Sequence, residues 1–382
     1  FVSISKTRHN RSVTSLIPKL SCAVVAAFLW CSIGANVSSA FDASPAAAPS
    51  PSLDAQPSPA AASTAEPGVA LPPVAHRVVG GEFDFTAADG DTFTTIGSRF
   101  GESPKVLASE NGKQVTDHPD AGDIVHVDNR HIVPLEGTDL IEVNLPQRML
   151  FHFEDGGVTG VYPVAIGQPG RQWQTPIGAF RVIQMREDPT WRVPASIQQE
   201  EEAAGKDVVD EVDPGPDNPL GKYWIGLSFP IIGIHGTNHP VSVYSYRTHG
   251  CVRLHPDDIE ALFKAVDLND RGIIVYYPLM LAQLDDGRIF VESERDIYHK
   301  GTGGIEALKA LAQSSRIDNL IDWFRASEVV TDEDGIARDV TLKTDRAGGA
   351  PADQSVAATI ERTSTLAGGA SRRLIAAAIP PH

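Results

Sequence analysis

The chain has 382 residues, a net charge of −17 at pH 7 and a pI near 5.1. That balance excludes a nucleic-acid binder, which needs a basic face to replace counterions, and docking on anionic lipid through a basic patch. A polar or glycan partner stays open. The length fits about two domains of roughly 150 residues with linkers. Hydrophobic residues at 42% suffice for at least one core, and 33 Gly with 28 Pro describe neither a fibrous nor a wholly disordered chain.

Residues 1–19 hold Lys6, Arg8, Arg11 and Lys19 and no acid. Leu20 to Ala35 carries no charge, and small residues follow in Val37-Ser38-Ser39-Ala40. A basic head, a short apolar stretch and a small-residue site read as a secretory signal over 1–40. The stretch is short for a retained anchor. Trp30 before Cys31 is too bulky for lipoprotein processing. The expectation is an exported chain with no stable transmembrane anchor after signal removal. Removal also takes Cys22 and Cys31, leaving Cys251 as the one cysteine, so no intramolecular disulfide forms. A lone thiol in an oxidising compartment is a liability unless buried or used.

Residues 41–75 contain 11 Ala and 8 Pro and read as an extended tether. A small module follows over 80–134. Phe83-Asp84-Phe85 alternates as a strand, Gly90-Asp91-Thr92-Phe93 turns into a helix running to Phe100, and Ser103-Pro104 suits a second helix start. Residues 123–127 alternate as a closing strand. This strand–helix–helix–strand order, with Ile96, Leu107, Asn111 and Gly122, resembles a LysM module, an α+β βααβ unit that binds N-acetylglucosamine-containing glycans. The plain alternative is a spacer.

From 138 to 278 strands dominate: Leu140–Leu145, Arg148–Phe153, Val161–Ile166, Phe180–Met185, Tyr223–Leu227, Ile231–His235 and Gly272–Tyr277. One helix stands out, opened by Pro256-Asp257-Asp258 with an apolar stripe of Ile259, Leu262, Phe263 and Val266. Residues 187–221 carry Glu200, Glu201, Glu202, Asp207, Asp210, Glu211 and Asp213 and read as a solvated surface loop or lid. Residues 279–343 form a partly helical extension, with 305–326 fitting an amphipathic helix or helix pair. Residues 344–382 read as a tail without a core.

The chemistry concentrates in Ile234-His235-Gly236-Thr237-Asn238 and Thr248-His249-Gly250-Cys251-Val252-Arg253-Leu254. A thiol attacks a carbonyl only as thiolate, and a neighbouring imidazole can take its proton and hold it as an ion pair. His235 ends an apolar strand. Cys251 precedes the capped helix, and the amides of Gly250 and Cys251 can face an oxyanion. On spacing alone, a buried inert cysteine with His249 satisfied by backbone fits equally well. A metal site fits poorly: His235 and His239 have helical zinc spacing and His249 and His255 add donors, but Gly236 and Pro240 spoil a helix.

His-Gly-Thr followed by Thr-His-Gly-Cys-Val-Arg-Leu resembles the signature of the L,D-transpeptidase (YkuD-type) catalytic domain. Pro163-Val164-Ala165-Ile166-Gly167, Thr175 to Phe180 and Gly215 to Gly221 add collinear segments, and the order of signal, LysM-like module and catalytic domain is that of the ErfK/YbiS-type periplasmic group. The resemblance implies a mainly β catalytic domain, a mixed β-sheet sandwich with one main helix. It implies Cys251 as nucleophile and His235 as base and later acid, with the Gly236 carbonyl orienting the ring. Gly250 and Cys251 become the oxyanion donors, and Arg253, His249 and Thr248 face substrate. The implied partners are peptidoglycan stem peptides and glycan, with an envelope lipoprotein as an alternative acceptor. No cofactor and no metal are implied. The competing readings are a catalytically silent wall-binding protein and a secreted cysteine hydrolase or L,D-carboxypeptidase.

Overall fold

Alternating apolar residues in Glu82–Thr86 and Ile124–Asp128 pair antiparallel, Phe83 opposite Val127 and Phe85 opposite Val125. A computed structural model describes residues 70–135 and 140–343. The proposed signal, most of the Ala/Pro-rich tether and the 344–382 tail lie outside the described residues. The first elements are β1 (Val78–Val79), β2 (Glu82–Thr86), α1 (Phe93–Phe100), α2 (Pro104–Glu110), β3 (Ile124–Asp128) and β4 (His131–Ile132). Phe85, Phe93, Ile96, Leu107, Val125 and Val127 form their shared core. Thr92 and Thr95 cap α1 reciprocally, each side chain accepting from the other's amide at 3.0 and 2.8 Å. Ser103 makes no side-chain cap, and Pro104 at the first helical position starts α2 without it.

The next elements are β5 (Leu140–Asn144), β6 (Met149–Glu154), β7 (Gly157–Gly167), β8 (Gly178–Glu187), β9 (Trp191–Arg192), α3 (Ala195–Ala203), β10 (Glu211–Val212), β11 (Tyr223–Leu227), β12 (Gly233–His235), β13 (Tyr246–Thr248), β14 (Val252–Leu254), α4 (Pro256–Ala265) and β15 (Arg271–Val275). Nine of these strands form one mixed sheet in the order β13-β7-β14-β12-β11-β8-β15-β5-β6. β7 pairs with β6 through its first half and with β14 and β13 through its second. One long strand thus joins both ends, and the sheet curls back on itself around Val164, Ile166, Val182, Ile225, Ile234 and Val252. Ile259 and Leu262 of α4 pack into the same core.

The acidic connection departs from the loop reading. It contains the antiparallel pair β9–β10 and the nine-residue α3. No residue of α3 is buried, so the helix lacks the apolar stripe that makes one visible in sequence. The C-terminal extension also holds more than helices. β16 (Leu279–Gln283), β17 (Ile289–Ser293) and β18 (Arg338–Asp339) form a sheet covered by α5 (Ile305–Ser314) and α6 (Trp323–Asp332). Leu281, Val291, Leu308, Leu311 and Val329 make its core.

Buried polar groups rivet these parts together. Glu292 of β17 accepts from His131 Nδ1 at 2.8 Å, from the Ile132 amide at 2.5 Å and from Gln147 Nε2 at 2.9 Å. His131 Nε2 meets the Gly101 carbonyl at 2.9 Å. Both ring nitrogens therefore face acceptors, which only the imidazolium satisfies. Nearby, Arg148 pairs with Glu294 at 3.2 Å and lies 3.8 Å over the Tyr244 ring. Arg338 reaches back from β18 to Glu110 and Asp128.

Burial opposes the charge on His131, yet Glu292 beside it raises the pKa above 6.5. The pair's stabilisation is therefore complete below pH 6.5 and is lost as pH climbs through the folded-state value. His131→Gln is expected to cost roughly 3–5 kcal/mol at pH 6, the range for breaking a buried ion pair, and clearly less at pH 9. Urea unfolding at the two pH values checks this. An equal cost at both would contradict the imidazolium.

Candidate active site

β12 and β14 pair in parallel, with Ile234 opposite Val252 and His235 opposite Arg253. Side chains alternate faces along a strand. Ile234 and Val252 go into the core, fully buried. His235 and Arg253 take the other face. Cys251, immediately before β14, falls by the same alternation on the face of His235, and the Gly233 backbone hydrogen-bonds its sulfur.

His235 is buried, and its Nδ1 lies 2.7 Å from the Gly236 carbonyl. A carbonyl only accepts, so Nδ1 carries the proton and Nε2 presents a lone pair. Burial, helped by the Arg253 charge, lowers its pKa to about 3, against the Gly236 and Leu220 carbonyls. The imidazole is thus neutral near pH 7. Burial also pushes the Cys251 thiol up, with the Gly233 backbone and Arg253 only partly offsetting it. The resting pair is a neutral imidazole and a neutral thiol. This differs from the ion pair expected from sequence, because both groups are largely withdrawn from water.

Cys251, the expected nucleophile, sits in a constrained turn. Thr248 Oγ1 donates to the Cys251 carbonyl at 2.6 Å and accepts from the Gly250 amide at 3.2 Å. Gly250 has φ 107°, a conformation that favours glycine, and a Cβ there would meet Ile232 Cδ1 at 2.9 Å. The Cys251 thiol points at the Ile231 carbonyl, 3.7 Å away. Ile231 itself has φ 58°, a strained conformation for a β-branched residue, and is 86% exposed.

The other expected site residues divide. Thr248 is buried, with its hydroxyl committed to the turn. His249 meets the Trp173 ring edge-on at 5.4 Å and Glu200 of α3 through Nε2 at 3.1 Å. Arg253 donates through Nη1 to Ser242 Oγ at 3.0 Å, while its buried Nε has no partner. Among the described residues it makes no ion pair. α1 packs on the Pro240–Ser242 turn that holds Ser242. His255 caps α4, accepting from the Asp257 amide, and His239 starts the Pro240–Ser242 turn.

The collinear segments act as scaffolding. Asn218 is fully buried and ties Pro189, Val212, Asp213 and Leu220 together through its amide group. Gly221 has φ 66°, and a Cβ there would lie 2.7 Å from the Thr237 amide, so the loop seats directly under His-Gly-Thr. Thr175 Oγ1 accepts from the Gly167 amide at 2.9 Å, and Tyr298 of the extension donates to the Gly167 carbonyl at 2.6 Å. Sequence reading missed Trp173 and Ser242, took Glu200 for an acid of a solvated loop or lid, and took Ile231 for the start of the strand that begins at Gly233. None has a motif. Only the Pro230-Ile231-Ile232 run ahead of His235 hinted at an apolar residue turned outward.

A neutral thiol gives a specific pH response. Iodoacetamide alkylation of Cys251 in the full chain is expected to rise about tenfold per pH unit and to keep rising past pH 9, as the thiolate fraction dictates. A plateau between pH 6 and 8 would instead show a thiolate–imidazolium pair.

Comparison with known proteins adds four findings. The family model of the L,D-transpeptidase catalytic domain (YkuD) matches residues 138–275. A Salmonella typhimurium protein named "Probable L,D-transpeptidase ErfK/SrfK" is 30% identical over 58% of this chain and 72% of its own length. A Bacillus subtilis protein named "Putative L,D-transpeptidase YqjB" is 34% identical over 42% of this chain and 78% of its own. The solved catalytic domain of the E. faecium L,D-transpeptidase aligns with 37% of this chain and 98% of that one, at 22% identity and a TM-score of 0.29.

Proposed function

The chain belongs to the L,D-transpeptidase family, and from that premise we propose that it remodels peptidoglycan in the periplasm, with Cys251 and His235 as its reacting pair. The observation that carries this reading is the parallel register of β12 and β14, which sets His235 and Cys251 on one face. The substrate is a tetrapeptide stem ending in D-alanine. His235 Nε2 takes the Cys251 proton as the sulfur attacks the carbonyl before that D-alanine. The amides of Gly250 and Cys251 stabilise the oxyanion, the Gly250 amide turning from Thr248 to do so. The C–N bond breaks, His235 returns the proton to the departing amine, and a thioester remains on Cys251.

An amine then attacks the thioester and gives its proton to His235. The C–S bond breaks and the sulfur regains a proton. A diaminopimelate amine of a second stem yields a 3→3 cross-link, a lipoprotein lysine yields an attachment, and water yields a carboxypeptidase product. Arg253 supplies the cation for a stem carboxylate, a role supported by its unpartnered Nε. His249 shapes the pocket wall with Trp173. Thr248 holds the turn. The LysM-like module binds wall glycan. Its strand–helix–helix–strand order supports this, as does a cavity of about 130 Å³ lined by Asn111, Lys113, His118 and Asp123.

Mass spectrometry of the full chain with a disaccharide-tetrapeptide tests the reaction. The expected products are free D-alanine and a stem dimer. Cys251→Ala should lower the rate by at least roughly 10³-fold and His235→Ala by on the order of 10²–10⁴-fold. Turnover unchanged in Cys251→Ala would contradict the assignment. No turnover by a folded wild-type chain would favour the wall-binding reading. Sedimentation with purified sacculi tests the module: Lys113→Glu in the full chain should reduce the bound fraction, and equal binding would leave the module a spacer.

A further inference from the structure

The cross-strand neighbour of His235 is Trp224 of β11, which has no part in the steps above. The two rings stack, with centroids 6.1 Å apart and planes 24° from parallel. The indole lies across the strand pair because two positions there have no side chain. A Cβ on Gly233 would sit 2.4 Å from the indole carbons, and one on Gly226 would sit 3.1 Å from Nε1. Gly226 and Gly233 are themselves register partners. Neither has a positive φ, so the indole is what requires glycine at 233, and at 226 it shares that role with Gln184 Cβ, 3.0 Å from the same position.

His235 is held by hydrogen bonds in the plane of its ring, through Nδ1 to the Gly236 carbonyl at 2.7 Å and with the Leu220 carbonyl as a further backbone partner. Bonds in the ring plane leave the imidazole free to tilt out of that plane and carry Nε2 away from the Cys251 side. A flat ring stacked on the imidazole blocks that tilt. It also covers one face of a side chain whose low basicity comes chiefly from burial. Gly233, the glycine beneath the indole, is the residue whose backbone bonds the Cys251 sulfur. The indole therefore bridges the surroundings of base and nucleophile.

We propose that Trp224 is a positioning residue for the transpeptidase reaction, holding the His235 imidazole with Nε2 on the Cys251 side and keeping water from its stacked face. The proposal rests on His235 being the base. It adds no covalent step. It says why the proton transfer from Cys251 has a fixed direction.

The test uses three variants of the full chain. Trp224→Leu removes the stack. Gly233→Ala keeps the indole but displaces it with a methyl group. Trp224→Phe keeps an aromatic face. Each is assayed for D-alanine release from the disaccharide-tetrapeptide, and His235 is titrated by NMR of ¹³C-labelled histidine. Trp224→Leu and Gly233→Ala should both lower kcat on the order of 10–100-fold, as misplaced catalytic groups do, with KM within about threefold. In both, the His235 titration should move up toward the ordinary histidine range. Trp224→Phe should restore most of kcat and of the titration.

Unchanged kcat and titration in Trp224→Leu would overturn the proposal. So would a loss confined to KM, which would make Trp224 a substrate contact, or a Trp224→Phe defect as large as that of Trp224→Leu. If Trp224→Leu does not fold, Gly233→Ala and Trp224→Phe decide alone. If the wild-type chain releases no D-alanine, the functional reading fails, yet the His235 titration still reports whether Trp224 sets the ring.

Discussion

The parallel pairing of Gly233–His235 with Val252–Leu254 is the constraint on which the catalytic domain depends. Parallel neighbours cannot be joined by a tight hairpin, so the chain must leave the sheet and return between them. The excursion from Gly236 to Cys251 does this through a 3₁₀ turn and β13. Residues sixteen apart in sequence thereby come to share one face, while Ile234 and Val252 are buried on the other. A one-residue slip in this register would exchange the two faces and put the imidazole in the core. The apolar residues that fix the register are therefore as necessary to the site as the polar ones that occupy it.

The surrounding parts brace that pair from several sides. α1 of the N-terminal module packs on the turn carrying Ser242, which in turn holds Arg253. Tyr298 of the C-terminal extension fixes Gly167, and Gly167 fixes Thr175. The Glu292 network joins β4, the β5–β6 turn and β17 in a buried cluster. Such a cluster costs desolvation and is tolerated only when its donors and acceptors are matched. The N-terminal module and the extension thus form part of the platform that holds the catalytic strands.

Much of this was legible in sequence, and the gaps have physical causes. β2, β5, β6, β8 and β11 announced themselves by apolar patterning, and α4 by its acidic first turn and stripe. The Thr-His-Gly-Cys turn was legible because its glycine and hydroxyl have few substitutes at φ 107°. α3 was illegible because it buries nothing. The closure of the sheet was illegible because it depends on one strand serving two partners, which no local pattern encodes. The same holds for Trp224: its role in the stack depends on glycines at 226 and 233 that become neighbours only once β11 and β12 pair. Ile231 adopts a backbone conformation that its residue type argues against, and only the folded loop imposes it. The ion pair expected between Cys251 and His235 gave way to a neutral pair because burial, invisible in a motif, acts on both.

In the proposed reaction, a neutral resting pair makes the proton transfer part of the attack and leaves the thiol quiet until a carbonyl is in place. The most direct measurement is the intact mass of the full chain after brief exposure to a tetrapeptide stem without an amine acceptor, followed by peptide mapping. The account predicts a thioester adduct lighter than the whole stem by one D-alanine, confined to the peptide containing Cys251 and absent from the Cys251→Ala chain. An adduct on another residue, or turnover of the stem by the Cys251→Ala chain, would contradict it.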